Sequence, residues 1–362
     1  MERTMAPEPR SFHARIPGYR PTPLLPLDAV ASEFGLGSVW MKYEHDRFGL
    51  PAFKALGALW AVYRWLDQRI PGGLDARWTS FEDLRALTPE AGPLTLVAAT
   101  DGNHGRAVAR VAALFGFQAH ILVPAGTAAS RMAAIAAEGA RVEEVDAEYD
   151  AVVRRAAALA DSTHLVVSDT SWDGYVDIPR FVAEGYATLF AEIDDVLLDR
   201  SAPRPDMVVV PVGVGALAQA AITHYGAAGT AVVSVEPSDA ACVLASLRAD
   251  ERTTVRGPHR SMMAGLNCGT PSKVAWPAMR DGLAAALAID DDHAVRAMRM
   301  LADQGIEVGE TGAASLAGLI ALAGRELRPL REALPWSPTS SVVLLATEGI
   351  TDPLNYARMV AR

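Results

Sequence analysis

Four stretches of the 362-residue chain carry groups able to do chemistry. The first is Arg47–Gly57 (RFGLPAFKALG), where Lys54 stands among Phe53, Ala55 and Leu56. Pro51 marks a helix start, so Lys54 falls in the first turn of a helix predicted over Phe53–Tyr63. An amine on an apolar face loses the water that stabilises its charge, and its lone pair then becomes available to an aldehyde. A lysine at a helix end also reaches water easily, and taken alone the stretch favours that plainer reading. The second is Thr100–Gly105 (TDGNHG), between an apolar run and a helical one. Gly102 permits a tight turn, free amides at the helix start suit an anion, and Asn103 and Asp101 add an amide and an acid. An ordinary Asx turn with a helix cap uses the same residues. The third, Val212–Ala218 (VGVGALA), lets Gly213 and Gly215 close the backbone around a phosphate at a helix N-terminus. The fourth, Ala346–Asp352 (ATEGITD), offers the Thr347 hydroxyl at the end of the last strand, where a strand-end cap would also place it.

Alternating elements must position these loops. Strands are predicted at Leu94–Ala99, Ala119–Val123, Ala140–Val145, Leu165–Ser168, Met207–Val212, Ala231–Val235 and Ser341–Ala346. Helices are predicted at His104–Phe115, Ala128–Glu138, Tyr149–Ala160, Ala216–Tyr225, Asp291–Asp303 and Gly312–Ala323, with Gly116 as a C-cap. Strand–helix alternation implies parallel sheets covered by helices, with ligand sites at the strand C-termini. The expected fold class is α/β, in two lobes. The Gly-, Pro- and charge-rich stretch Arg69–Pro93 is expected at the surface, as an insertion or lobe connection.

Composition narrows the function. With 33 Lys+Arg against 43 Asp+Glu the net charge is −10, which argues against a nucleic-acid partner. Half the residues are hydrophobic, enough for a large core. Two cysteines, Cys242 and Cys268, cannot form a disulfide framework or a cysteine zinc site, so no metal is expected. The N-terminus lacks the apolar run of a secretory signal, and no stretch has the roughly 18 apolar residues of a membrane helix. A cytoplasmic, soluble enzyme is expected. The glycine loop also fits G-x-G-x-x-A, and Glu236 follows Gly213 at the end of the next strand, where a ribose-binding acid belongs. An NAD-dependent oxidoreductase using Gly213, Gly215 and Glu236 is therefore one alternative, and a non-catalytic sensing relative is another.

Taken together, eight segments resemble the fold-type II pyridoxal-phosphate enzymes, the tryptophan synthase β-subunit and serine/threonine dehydratase superfamily, and within it the diaminopropionate ammonia-lyases. They are RFGLPAFKALG (47–57), TDGNHGRAVA (100–109), SDTSWDGYVDIP (168–179), GVGALA (213–218), SVEPSDAACV (234–243), MAGLNCG (263–269), GETGAAS (309–315) and TEGITD (347–352), in family order over nearly the whole chain. The resemblance implies two lobes, each with a mainly parallel twisted sheet flanked by helices. Residues 1–92 and 169–362 would form the large cofactor-binding lobe and 93–168 the small one. Lys54 would carry pyridoxal 5′-phosphate. The backbone of Gly213, Val214, Gly215, Ala216 and Leu217 would hold its phosphate, Asn103 its 3′-oxygen, and Thr347 would face its ring nitrogen. Thr100, Gly102 and His104 would bind the substrate carboxylate. Asp101 and Asp169 would be the catalytic carboxylates for the D- and L-isomers. A homodimer is also implied.

The implied reaction is elimination from a small amino acid, 2,3-diaminopropionate, to pyruvate and ammonia. A hydroxyl rather than a carboxylate at the ring nitrogen leaves a milder electron sink, which suits elimination. An aspartate is a weak base at its free pKa of ~3.9, and burial near Trp172 and Tyr175 is expected to raise Asp169. The sequence departs from the family at Lys42–His45 (KYEH), where Lys-Asp-Glu-Ser is common. If Tyr43 and His45 face the site, another β-substituted alanine such as a β-hydroxy-amino acid is an alternative substrate. If they face outward, they tune nothing.

Overall fold

The structure is a computed structural model describing residues 8–74, 76–100, 102–147 and 149–361. Among the described residues ten strands form two sheets: β1 Leu24–Pro26, β2 Ser38–Tyr43, β3 Thr95–Ala99, β4 Gln118–Pro124, β5 Arg141–Val145, β6 His164–Val166, β7 Met207–Pro211, β8 Ala231–Pro237, β9 Leu283–Ile289 and β10 Ser341–Ala346. The chain divides into two compact units. The first comprises Met1–Arg20, Arg47–Leu50 and Lys54–Thr188, and the second Pro21–Asp46, Pro51–Phe53 and Leu189–Arg362.

The first unit holds a four-stranded sheet in the order β5-β4-β3-β6, parallel throughout. The expected alternation holds here. The helix Asn103–Phe115 follows β3, packs Val108, Val111 and Phe115 inward, and stops at Gly116, whose φ of 78° is the left-handed cap that glycine favours. The helix Lys54–Arg69 also belongs to this unit. Every residue from Ala55 to Tyr63 on it is buried, because it packs on both Asn103–Phe115 and the helix Asp177–Gly185. The second contact requires two glycines. A Cβ on Gly57 would lie 2.7 Å from Tyr186 and Val182 side-chain atoms, and one on Gly185 would lie 2.6 Å from the Leu56 carbonyl oxygen. The crossing helices thus meet nearly backbone to backbone.

The stretch 69–93 corrects the expectation of a plain surface insertion. Pro71, Gly72 and Arg77 are exposed, but Leu74, Trp78, Phe81 and Leu84 are buried. Ser80 opens a short helix, Phe81–Leu87, with a capping box closed by Asp83. Its large apolar residues are too widely spaced among charges to form a run, yet Ile70, Leu74, Trp78, Phe81 and Leu84 turn inward.

The second unit holds a six-stranded sheet in the order β1-β2-β10-β7-β8-β9, parallel except for β1 against β2. Strands β7 and β10 are buried at every position, as continuous apolar runs in parallel sheets should be. The apolar helix Ala314–Ala323 covers them. Strand β2 carries a charge through this core. Lys42 is fully buried, 2.6 Å from the equally buried Glu192 and 2.7 Å from the Thr22 carbonyl. Among the described residues no helix is long and apolar enough to cross a membrane.

Replacing Gly57 or Gly185 by alanine should destabilise the protein by about 1–3 kcal/mol, since a backbone contact cannot give way as a side chain can. This loss should appear in denaturant titration despite alanine's better helix propensity.

Candidate active site

Each unit carries candidate site residues with their own geometry. In the first unit Lys54 is the opening residue of its helix, slightly later than the predicted start at Phe53. Its Nζ lies 2.7 Å from Asp169 Oδ2, with side-chain exposures of 22% and 10%. The lysine therefore does not snorkel to water. Burial pushes the Asp169 carboxyl up, but the Lys54 ammonium outweighs it and holds the carboxyl down at about 2. The expectation that burial would raise Asp169 is thus corrected in this state, because the Lys54 ammonium is in contact with it.

Asp169 is held by its surroundings. It lies just beyond β6, where the Tyr175 hydroxyl donates to the Val166 carbonyl (2.7 Å) and accepts from the Ser168 amide (3.0 Å). Trp172 stacks on Tyr175 at 4.1 Å between ring centroids. His104, second residue of its helix, donates Nε2–H to the Val167 carbonyl at 2.8 Å. A carbonyl only accepts, so the proton sits on Nε2 and Nδ1 carries a bare lone pair. That Nδ1 is buried and has no hydrogen-bond partner among the described residues. Burial holds the imidazole below its usual pKa, opposed by Asp169 and reinforced by Lys54.

The loop after β3 folds around Thr100. Its buried Oγ1 accepts from the amides of Gly102 (3.0 Å) and Gly105 (3.1 Å). The Gly102 amide is thus already engaged, whereas His104 N lies in a first helical turn that the helix cannot satisfy. Gly105 was not singled out from the sequence. A Cβ there would lie 2.2 Å from Thr100 Cγ2, so only glycine lets the helix start this close. Asn103 opens the helix and is half-buried. Asp101 lies outside the described residues.

In the second unit the turn after β7 leads into the helix Ala216–Tyr225. Gly215 has φ +102°, and a Cβ on it would lie 2.4 Å from Met279 Sδ. One on Gly213 would lie 3.0 Å from Cys268 Sγ and 3.1 Å from the Gly265 carbonyl oxygen. Val214, Ala216 and Leu217 are buried, and the Val214 carbonyl accepts from Ser272 N at 2.8 Å. The result is a rigid turn with bare backbone at a helix N-terminus, the arrangement that holds phosphates.

Thr347 follows β10 and is buried, donating to the Thr311 carbonyl at 3.4 Å. Its loop grips the chain ahead of the lysine. Phe53 N donates to the Thr347 carbonyl (3.4 Å), and Gly349 N to the Pro51 carbonyl (2.8 Å). Gly312 packs so closely that a Cβ would lie 2.3 Å from the Glu348 carbonyl oxygen. Tyr43 and His45 sit at this strand edge, their rings stacked at 4.0 Å, with Tyr43 paired to Ala346. Tyr43 gives its hydroxyl to the Glu307 carbonyl, while Glu44, of opposite parity, is buried and accepts from Thr22. Glu236 is not free for a ribose. Its two oxygens accept from Val243 N (2.7 Å) and Leu244 N (2.9 Å), and burial pushes its carboxyl up to about 7. That removes the feature on which the oxidoreductase reading rested.

Each unit offers groups that suit a phosphate-bearing aldehyde: the first a half-buried amine, the second a glycine turn at a helix start and a buried hydroxyl at a strand end. The comparisons agree. A family model described as pyridoxal-phosphate dependent enzyme matches residues 16–346. Diaminopropionate ammonia-lyase of Escherichia coli K12 is 36% identical over 97% of this chain and 90% of its own. Two crystal structures of the Escherichia coli enzyme, with D-serine and with an aminoacrylate–pyridoxal-phosphate azomethine intermediate, superpose with TM-scores of 0.89 and 0.87. Both are 34% identical and cover 97% of this chain and 90% of theirs.

Asp169 also sets a pH dependence. Its carboxyl lies at about 2 in the fold against 3.8 unperturbed, so its contribution is present above pH ~4 and lost as pH falls toward 2. In cofactor-free protein, Asp169→Asn should lower stability near neutrality by roughly 2 kcal/mol and flatten the acid limb of stability between those pH values. Chemical denaturation across pH reads this directly.

Proposed function

The chain belongs to the pyridoxal-phosphate-dependent enzyme family, and from that premise we propose that it is an ammonia-lyase for 2,3-diaminopropionate. The Lys54–Asp169 pair, a half-buried amine on a buried carboxylate, carries the proposal, in a chain 36% identical to such an enzyme over nearly its whole length. The overall change is diaminopropionate plus water to pyruvate plus two ammonia.

Bound pyridoxal phosphate supplies the electron sink for charge developing at Cα. Lys54 holds it through the ε-nitrogen. The amides of Gly213 through Leu217 bind its phosphate, the Asn103 amide meets its 3′-oxygen, and the Thr347 hydroxyl faces its ring nitrogen. The His104 amide and the Thr100 loop orient the substrate carboxylate. Gly102 shapes that loop, with its own amide given to Thr100. Asp169 takes the α-proton of the L-isomer and Asp101 that of the D-isomer. The family resemblance supports a homodimer, and two cysteines free of any disulfide support a reducing compartment such as the cytoplasm.

Cofactor-loaded protein should release pyruvate and ammonia from both isomers of diaminopropionate. A loss confined to the L-isomer in Asp169→Asn and to the D-isomer in Asp101→Asn would support the two assignments. No turnover of either isomer by wild type would discard the substrate. Lys54→Ala should lack the visible absorbance of the loaded protein, and borohydride should fix the cofactor to the wild-type peptide containing Lys54. An unchanged spectrum in the variant would remove Lys54 from its role.

A further inference from the structure

The Lys54 side chain ends in a primary alkylammonium, and so does Cβ of diaminopropionate at neutral pH. The structure already shows how the fold receives that group. A buried carboxylate oxygen lies 2.7 Å from the ammonium nitrogen. Beside it, electrostatically coupled to both Asp169 and Lys54, is an imidazole whose only proton is committed to the Val167 carbonyl. Its bare Nδ1 is buried and unpartnered among the described residues. The carboxylate accepts from the ammonium, and the imidazole lone pair is an acceptor not yet used. An ammonium has three N–H groups to give, whereas a hydroxyl has one and a chloride none.

We infer that Asp169, with His104 beside it, is the receptor for the β-ammonium of the substrate, and so the residue that selects a diamino acid over alanines with a neutral β-substituent. The inference rests on the lyase reading above. Covalent use of the Lys54 nitrogen withdraws the ammonium that Asp169 holds, and a buried carboxylate left without a cation is costly. A β-ammonium restores the pair. The same contact serves the chemistry. A protonated β-nitrogen takes the Cβ–N electron pair and leaves as neutral ammonia, while an unprotonated one would have to leave as amide ion. The carboxylate keeps that nitrogen protonated until the bond breaks. The hydrogen bonds of Tyr175 to Val166 and Ser168 hold the segment in place before substrate arrives.

Two measurements decide it. The first needs no turnover. In full-length, cofactor-free Lys54→Ala, methylammonium should give a saturable rise in Tm over tetramethylammonium, which has no N–H to donate. The rise should vanish in Lys54→Ala/Asp169→Asn. No rise, or one that survives the second substitution, overturns the inference.

The second uses the D-series, where Asp101 is the proposed base, so that base and receptor roles separate. The kcat/KM for D-diaminopropionate divided by that for β-chloro-D-alanine should fall by about 30-fold in Asp169→Asn, the scale of a hydrogen bond to a charged group. Asp169→Glu, which keeps the charge, should retain most of the ratio. An equal loss on both substrates means that Asp169 acts only as a base or a structural residue, and overturns the inference. If wild type turns over neither isomer of diaminopropionate, the lyase reading fails, and the methylammonium result still decides whether Asp169 receives an ammonium.

Discussion

One buried ion pair organises the first unit. A carboxylate inside a protein is tolerable only with a cation and hydrogen bonds around it. Asp169 has the Lys54 ammonium at 2.7 Å, and both ends of the pair are fixed from behind. On the lysine side, Gly57 and Gly185 let two helices meet almost backbone to backbone, which sets the start of the lysine helix against the segment after β6. On the aspartate side, Tyr175 and His104 take up the carbonyls and an amide of 166–168. The pair is strong because its partners cannot drift, and its strength makes Asp169 responsive to any change in the charge on Lys54.

The second unit works by the absence of atoms rather than by charge. Gly213, Gly215 and Gly312 each stand where a single methyl would strike a sulfur or a carbonyl. The turn that Gly213 and Gly215 permit brings bare amides to a helix start, which is what an anion needs. Two buried strands, β7 and β10, deliver the Gly213 and Thr347 loops to the same edge of one sheet, since parallel strands all end on that side. The Thr347 loop also holds residues 51–53.

Two residues look different in the fold from their appearance in a motif. Glu236 has the spacing of a ribose-binding acid, yet its carboxylate is spent on the first amides of the helix Cys242–Ala249. Tyr43 and His45 do turn toward the loop-bearing edge, but Tyr43 is tied to the Glu307 carbonyl and His45 packs on Tyr43. In each case a hydrogen-bond partner distant in sequence consumes the group that the motif seemed to offer.

Much of the architecture was legible in the chain itself. The runs at 94–99, 119–123, 207–212 and 341–346 are apolar and bounded by turn residues, and they form strands close to those limits. The helices predicted from His104 and Ala216 start within one residue of those positions, after the glycines before them. Strands β2 and β9 were harder to see. Lys42 reads as a break in β2 until Glu192, 150 residues away, neutralises it, and the alanines of β9 carry no strand preference. Sequence alone therefore determined the fold class, the loops and the chemistry of the side chains at them. Tertiary structure decided the charge state of Asp169, the tautomer of His104 and the fate of Glu236. Those properties depend on which group from a remote segment lies within a few ångströms, and local sequence does not encode that distance.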